Sequence, residues 1–221
     1  LSTEYSFLGQ VAIAIITEIG AIGFVTFISF ILNFKKKKMS LSETLLLSSA
    51  LNDNNYGKLK QRLREVIKYT IVIQIIGATL LAIDFIPRFG MKNGIWYSIF
   101  HSITAFCNAG FDIIGDNSLV MFSKNIYVNI VFIALMFLGS IGYLEDVISC
   151  IKKKSFLHIS FHTKIVLTAS IIIYLVSIVL LKIAEPNLSL LEAVFTSVTA
   201  RTTGFSTIDM SSTLPITKFI I

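Results

Sequence analysis

Charge is scarce in this chain: 14% of its 221 residues are Asp, Glu, Lys or Arg, against 54% hydrophobic residues. With a mean hydropathy of +0.79, the composition excludes a disordered polar chain and does not fit an ordinary soluble domain. Histidine is sparser still, with three residues. His101 and Cys107 stand six apart and His158 and His162 four apart, but neither pair has a third ligand at recognisable spacing. A zinc enzyme is therefore disfavoured, and neither catalysis nor a cofactor is expected of this chain. Cysteine is limited to Cys107 and Cys150, which fall towards opposite faces of any layer the apolar runs would cross, so no disulfide framework follows.

What the chain does have is long apolar runs. Residues 7–32, 66–86, 126–151 and 163–184 approach or exceed the roughly 20 residues needed to span about 30 Å of hydrocarbon. Of the 19 Lys and Arg, 13 lie within 35–68 or 152–164. The positive-inside bias makes those two stretches cytoplasmic loops, with bounds 34–65 and 152–162. Runs 7–32 and 126–151 then lead inwards, and 66–86 and 163–184 outwards. The net charge of +6 is thereby spent on membrane loops and implies no nucleic-acid partner. Lys35, Lys36, Lys37, Lys38, Lys58, Lys60, Arg62 and Arg64 are candidate contacts for anionic lipid or a docked soluble protein.

A repeat organises the rest. FHSITAFCNAGF at 100–111 returns as FTSVTARTTGF at 195–205, about 95 residues on. Asn93 can cap a helix over 94–106 of only about 20 Å, which enters a bilayer but cannot cross it. Ser189 to Glu192 is a capping box that opens a second short helix, ending near Ala200. Gly20 to Phe24 and Gly139 to Tyr143 form another matched pair, 119 apart. The unit predicted is an outward helix, a short pore helix, a glycine turn and an inward helix. Residues 1–33 are the truncated inward helix of a first unit. Residues 66–151 are a complete second unit (helix 66–86, pore helix and filter 94–111, helix 126–151). Residues 163–221 begin a third (helix 163–184, pore helix and filter 189–205, start of an inward helix). Gly110 precedes Gly142 by 32 residues, and the same spacing before Gly23 puts an earlier filter glycine about nine positions ahead of Leu1. The chain is thus expected to be an internal portion of a longer all-α membrane protein, in which four pseudo-symmetric units close one pore.

A pore helix entering from outside aims its partly negative C-terminal end at the membrane centre, favouring a dehydrated cation. The carbonyls of Cys107, Asn108, Ala109 and Gly110, and of Thr202, Thr203 and Gly204, are candidate filter ligands, with a potassium ion at the level of Gly110 and Gly204. Non-helical backbone at such depth is tolerated where it lines a polar path. Arg201 is expected behind the second filter, paired with a carboxylate or bonded to carbonyls, and Phe111 and Phe205 are expected to support the loops. Glu18, a carboxylate in mid-membrane, must face protein or water and is either a packing residue or an ion-coupling one.

NAGF at 108–111, TARTTGF at 199–205 and IGAIGF at 19–24 resemble the Trk/Ktr/HKT superfamily of potassium transporters, in particular membrane subunits of the TrkH and KtrB type, over essentially the whole chain. The resemblance implies four non-identical pore units, a homodimer in a bacterial plasma (inner) membrane and a cytoplasmic ring of nucleotide-binding regulators. It aligns Gly110 and Gly204 with the second and third filter glycines. A sodium- or proton-coupled symporter and a non-transporting scaffold stand as alternatives.

Overall fold

The computed structural model describes residues 5–22, 42, 45, 59–115, 119–140, 161–209 and 213–220. Within them the chain is helical and contains no strand: α1 (Phe7–Ile22), α2 (Leu59–Phe106), α3 (Ile126–Ser140), α4 (Phe161–Ala184), α5 (Leu190–Thr202) and α6 (Pro215–Ile220), with a 3-10 turn at Val120–Phe122. Two helices, over Arg64–Phe106 and Lys164–Ala184, are long and apolar enough to cross a membrane. Helices α1 and α3 are shorter apolar segments, and the remainders of the expected runs 7–32 and 126–151 lie outside the described residues. So do Lys35 to Lys38, Lys58, Cys150 and His158, and the second halves of the two matched glycine stretches.

Straight, the 48 residues of α2 would measure about 72 Å, more than twice a hydrocarbon layer. They are not straight. Gly90 breaks the helix with φ 78° and ψ 165°, a region open essentially to glycine alone. The two arms fold back on each other, antiparallel. A Cβ on Gly94 would lie 2.6 Å from the Ile86 α-carbon, and one on Gly77 would lie 2.6 Å from Ser102 Oγ. Ser102 Oγ donates to the Gln74 carbonyl at 2.7 Å.

The sequence places the end of the first arm at residue 86 and the start of the second at residue 94. The helix instead runs through Pro87 up to Gly90 and resumes at once, leaving Asn93 inside the first turn rather than ahead of it. Arg88 supports the last turn by its ion pair to Asp84, 2.6 Å away and one turn back. The helix also begins at Leu59 rather than at residue 66, because Leu59 to Glu65 contains only good helix formers and no breaker.

The second hairpin uses a real link. Helix α4 ends at Ala184, Lys182 Nζ donates to the Pro186 and Leu188 carbonyls at 2.9 and 2.5 Å, and Ser189 caps α5. The capping box forms in full, Ser189 Oγ accepting from Glu192 N–H (3.2 Å) while Glu192 Oε2 accepts from Ser189 N–H (2.9 Å). Ser197 Oγ donates to the Tyr174 carbonyl at 3.0 Å, as Ser102 does to Gln74 in the first hairpin. The repeat in the sequence is thus a repeat of one packing contact.

Helix α3 lies between the hairpins. Phe132 contacts Phe205 (ring centroids 5.3 Å apart) and Phe195 (6.4 Å), and Phe85 stacks on Phe122 at 5.2 Å. These phenylalanines are buried and form one core with Leu81, Leu119 and Leu135. Asn125 opens α3, its side chain accepting from Val128 N–H (3.2 Å) and donating to Asp84 (3.0 Å), which ties α3 to the first arm.

Candidate functional site

Each short arm ends in a turn, and the two turns meet. At the first, Cys107, Asn108 and Ala109 N–H groups donate to the carbonyls of Ile103 (2.8 Å), Ala105 (3.2 Å) and Thr104 (2.9 Å). Asn108 takes a left-handed φ of 53°, so this end has the form of a Schellman motif. At the second, Thr203 and Gly204 N–H both donate to the Thr199 carbonyl, at 2.9 and 3.0 Å. Thr104 and Thr199 hold the same place in the repeat, and each carbonyl closes its own turn.

Gly110 and Gly204 both have positive φ, 69° and 89°. Their surroundings differ. A Cβ on Gly110 would lie 2.0 Å from the Thr203 carbonyl oxygen, whereas one on Gly204 would meet nothing within 4 Å among the described residues. Glycine at 110 is what lets the two backbones touch. Gly139 does the same for α3, since a Cβ there would lie 1.8 Å from the Phe106 carbonyl oxygen and 2.9 Å from the Asn108 side-chain amide. Its counterpart Gly20 meets nothing within 4 Å among the described residues.

Asn108 joins the turns to each other and to α3. With its amide nitrogen facing the second turn, the side chain reaches Thr203 Oγ1 (2.9 Å), Thr202 Oγ1 (3.0 Å) and the Met136 carbonyl (3.3 Å), while its oxygen accepts from Ser140 N–H (3.3 Å). Farther along, Leu119 N–H donates to the Ser206 carbonyl at 3.0 Å, holding the two return segments together.

A polar cluster stands behind each turn. Behind the first, Glu18 Oε2 accepts from Gln74 Nε2 at 2.6 Å and from Cys107 Sγ at 3.3 Å, while Oε1 is buried without a hydrogen-bond partner. Behind the second, Arg201 Nη1 donates to Ser170 Oγ and, at 3.4 Å, to Tyr174 Oη, and its guanidinium lies 5.6 Å from the Tyr174 ring centre. The carboxylate or carbonyl partners expected for Arg201 are thus replaced by hydroxyls and an aromatic face. The pairing of α5 with α4 sets Arg201 opposite residues 170 and 174, which are Ser and Tyr.

The return segment of the first turn is anchored by His101, which is fully buried. Its Nδ1 lies 2.8 Å from the Tyr97 carbonyl and its Nε2 lies 2.9 Å from Asp112 Oδ1, which also accepts from Ile114 N–H at 2.8 Å. Burial pushes the Asp112 carboxyl up. The bond and charge of His101 and the Ile114 amide pull it further the other way, leaving it below the ordinary 3.8. Phe205 packs at 1% exposure against Phe132 and His101, whereas Phe111 is 41% exposed, so only Phe205 is placed to support a loop among the described residues.

Cys107, Asn108, Ala109 and Gly110 are therefore brought against Thr202, Thr203 and Gly204, with Arg201 and Glu18 behind. His101 and Cys107 turn to different partners. Arg64 is exposed on α2, and Lys60 and Arg62 lie on the same helix. Sequence reasoning missed Gln74 and the His101–Asp112 pair, and marked Gly139 only through its match to Gly20. Ser102 and Ser197 were signalled by their recurrence.

A family model described as TrkH, cation transport protein, matches residues 1–221. The chain is 37% identical over 213 residues to the "Potassium/sodium uptake protein NtpJ" of Enterococcus hirae, a match covering 91% of this chain and 46% of that protein. It is 33% identical over 223 residues to the "Ktr system potassium uptake protein B" of Bacillus subtilis (95% and 49% covered) and 30% identical over 222 residues to the protein of the same description in Vibrio alginolyticus (94% and 48%). The chain spans about half the length of these curated relatives.

Proposed function

The chain belongs to the TrkH family of cation transport proteins, and from that premise we propose that the full-length protein carries potassium across a bacterial plasma membrane through a filter to which residues 107–110 and 202–204 contribute. The observation that carries this reading is the contact of the two glycine turns, Gly110 against the Thr203 carbonyl, at the ends of two short helices. Cys107 pairs with Gln74, and Arg201 with Ser170 and Tyr174. Gln74 is ten residues from Arg64 and from Asp84, and Tyr174 ten from Lys164 and from Ala184. With the charged residues Arg64, Asp84 and Lys164 and the helix end Ala184 at the faces of a bilayer, both turns lie about 15 Å from either face, near its middle. Backbone at that depth needs a polar path, and two helix C-termini aimed there favour a cation.

The relatives' names support potassium as substrate, and the Enterococcus hirae name supports sodium as a second permeant ion. "Ktr system" supports an assembly of more than one component. The basic residues from Lys35 to Arg64 suit a cytoplasmic nucleotide-binding regulator, and the resemblance further implies a homodimer and two more pore units outside this chain. The test is uptake of rubidium and sodium by the full-length protein in potassium-uptake-deficient cells, wild type beside Gly110→Ser. Wild-type rubidium uptake that the substitution abolishes, or opens to sodium, supports the filter. Unchanged uptake and selectivity at normal membrane levels removes Gly110 from it and favours a scaffold.

A further inference from the structure

The junction behind each turn is built from the same three elements: the preceding unit's last helix, the long arm and the end of the short arm. Glu18, Gln74 and Cys107 meet at the first. Glu18 corresponds to Phe137 by the 119-residue offset of the glycine stretches, Gln74 to Tyr174 by the matching serine bonds, and Cys107 to Thr202 by the 95-residue offset, the last adjoining Arg201. There Phe137 packs on Tyr174 with ring centroids 6.4 Å apart, so an aromatic pair is enough to fill the space. The first junction places a carboxylate where the second needs only a ring, which a packing role does not require.

Both donors to Glu18 converge on one oxygen, Oε2, and come from different elements, Gln74 from the long arm and Cys107 from the first residue past the helix end. On its other side Glu18 borders a cavity of about 340 Å³ between α1 and the short arm, whose lining is otherwise apolar, with Val11, Ala14, Ile15 and Ile103 among its walls. In such surroundings a hydrogen bond to an ionised or strongly polar acceptor is stronger than in water. Oε2 of Glu18 thus joins the turn, through Cys107, to the long arm, through Gln74.

We propose that Glu18 is a positioning residue for the first filter turn: through the Cys107 thiol and the Gln74 amide it fixes where the chain leaves the short helix, and so sets how well the pore discriminates potassium from sodium. The proposal rests on the filter reading above. It assigns Glu18 neither to the ion path nor to transport coupling.

The test uses the full-length protein in the same cells, with rubidium and sodium uptake measured side by side. Glu18→Ala lowers the rubidium-to-sodium ratio about tenfold, as expected for loss of charge-assisted hydrogen bonds, while Glu18→Gln, which keeps an acceptor, restores it to within about threefold of wild type. Where Glu18→Ala does not reach the membrane, Gln74→Ala carries the same expectation. An unchanged ratio in these variants while Gly110→Ser abolishes uptake or opens it to sodium overturns the role of Glu18 and leaves the filter reading standing. A Glu18→Gln defect as large as that of Glu18→Ala overturns positioning in favour of a purely electrostatic role. A second measurement does not depend on transport. In the full-length protein with every other cysteine replaced, Cys107 reacts faster with N-ethylmaleimide in Glu18→Ala than with Glu18 present, and an equal rate refutes the bond.

Discussion

At the end of the first short arm the chain turns through Asn108 and Gly110, is locked by Gly139 from behind, and returns along a segment tied by His101 to Asp112. At the end of the second it turns at Gly204, which has no neighbour within 4 Å among the described residues, with Arg201 resting on Tyr174 and with Thr196 and Ser206 in the places of the histidine pair. The backbone geometry shared by the two ends comes from repeated residues, Ser102 and Ser197 to the long arms and Thr104 and Thr199 to the turns. What differs is the sign of the charge behind the turn and how tightly the glycine is enclosed. Recurrence in the sequence therefore marks the scaffold, and departure from it marks what each turn does individually.

The largest expected asymmetry is steric. Gly110→Ala and Gly139→Ala each force a methyl into a backbone carbonyl oxygen, 2.0 and 1.8 Å away, so rubidium uptake by the full-length protein falls to background in both. Gly204→Ala meets no atom among the described residues and carries the strain of its φ of 89°, about 1–2 kcal/mol, so it retains more uptake than Gly110→Ala. Equal losses at 110 and 204 would erase the distinction between a closed and an open turn.

Next comes the cationic junction. Arg201→Met removes the bonds to Ser170 and Tyr174 and lowers the thermal midpoint of the purified protein, by about 1–3 kcal/mol in stability. Ser170→Ala costs less, because Tyr174 still holds the guanidinium through its ring and hydroxyl. A Ser170→Ala effect as large as that of Arg201→Met would remove Tyr174 from the account.

The smallest effect is a dependence on pH confined to the first turn. Asp112 is held below its ordinary 3.8, so its contribution is complete above that value and is lost as pH falls through the lowered one. Amide exchange at Ile113 and Ile114 should then accelerate in acid relative to Thr207 and Ile208, and Asp112→Asn should flatten the difference. Parallel acceleration of both segments would show that the histidine pair is not what holds the first.

The order of elements was legible because helix period, basic loops and a repeated pore segment all point the same way, and the capping box at Ser189 was legible because its signature is local. The limits of α2 were not. Pro87 and Arg88 read as a stop, yet proline need not end a helix at once when Arg88 and Asp84 support its last turn, and the real break is a single glycine with nothing in its neighbours to announce it. Glu18 and Arg201 were legible as anomalies, because charge inside an apolar run stands out. Their partners were not, since Gln74, Ser170 and Tyr174 are set by how two arms pair, which no stretch of sequence shows. Gly139 gave only a weak signal, its match to Gly20, and the two turned out to differ in what surrounds them.

The break at Gly90 has a consequence for how this chain can vary. The short arm hangs from the long one by one residue, with no loop to absorb a change in length. Each residue inserted or deleted there advances the short helix by about 100° and 1.5 Å, swinging Cys107 and Asn108 away from the neighbours they now meet. The second hairpin, by contrast, has a link of several non-helical residues, 185–189, between its arms. A change of length therefore shifts the first filter turn directly, whereas in the second hairpin the non-helical link stands between the change and the turn.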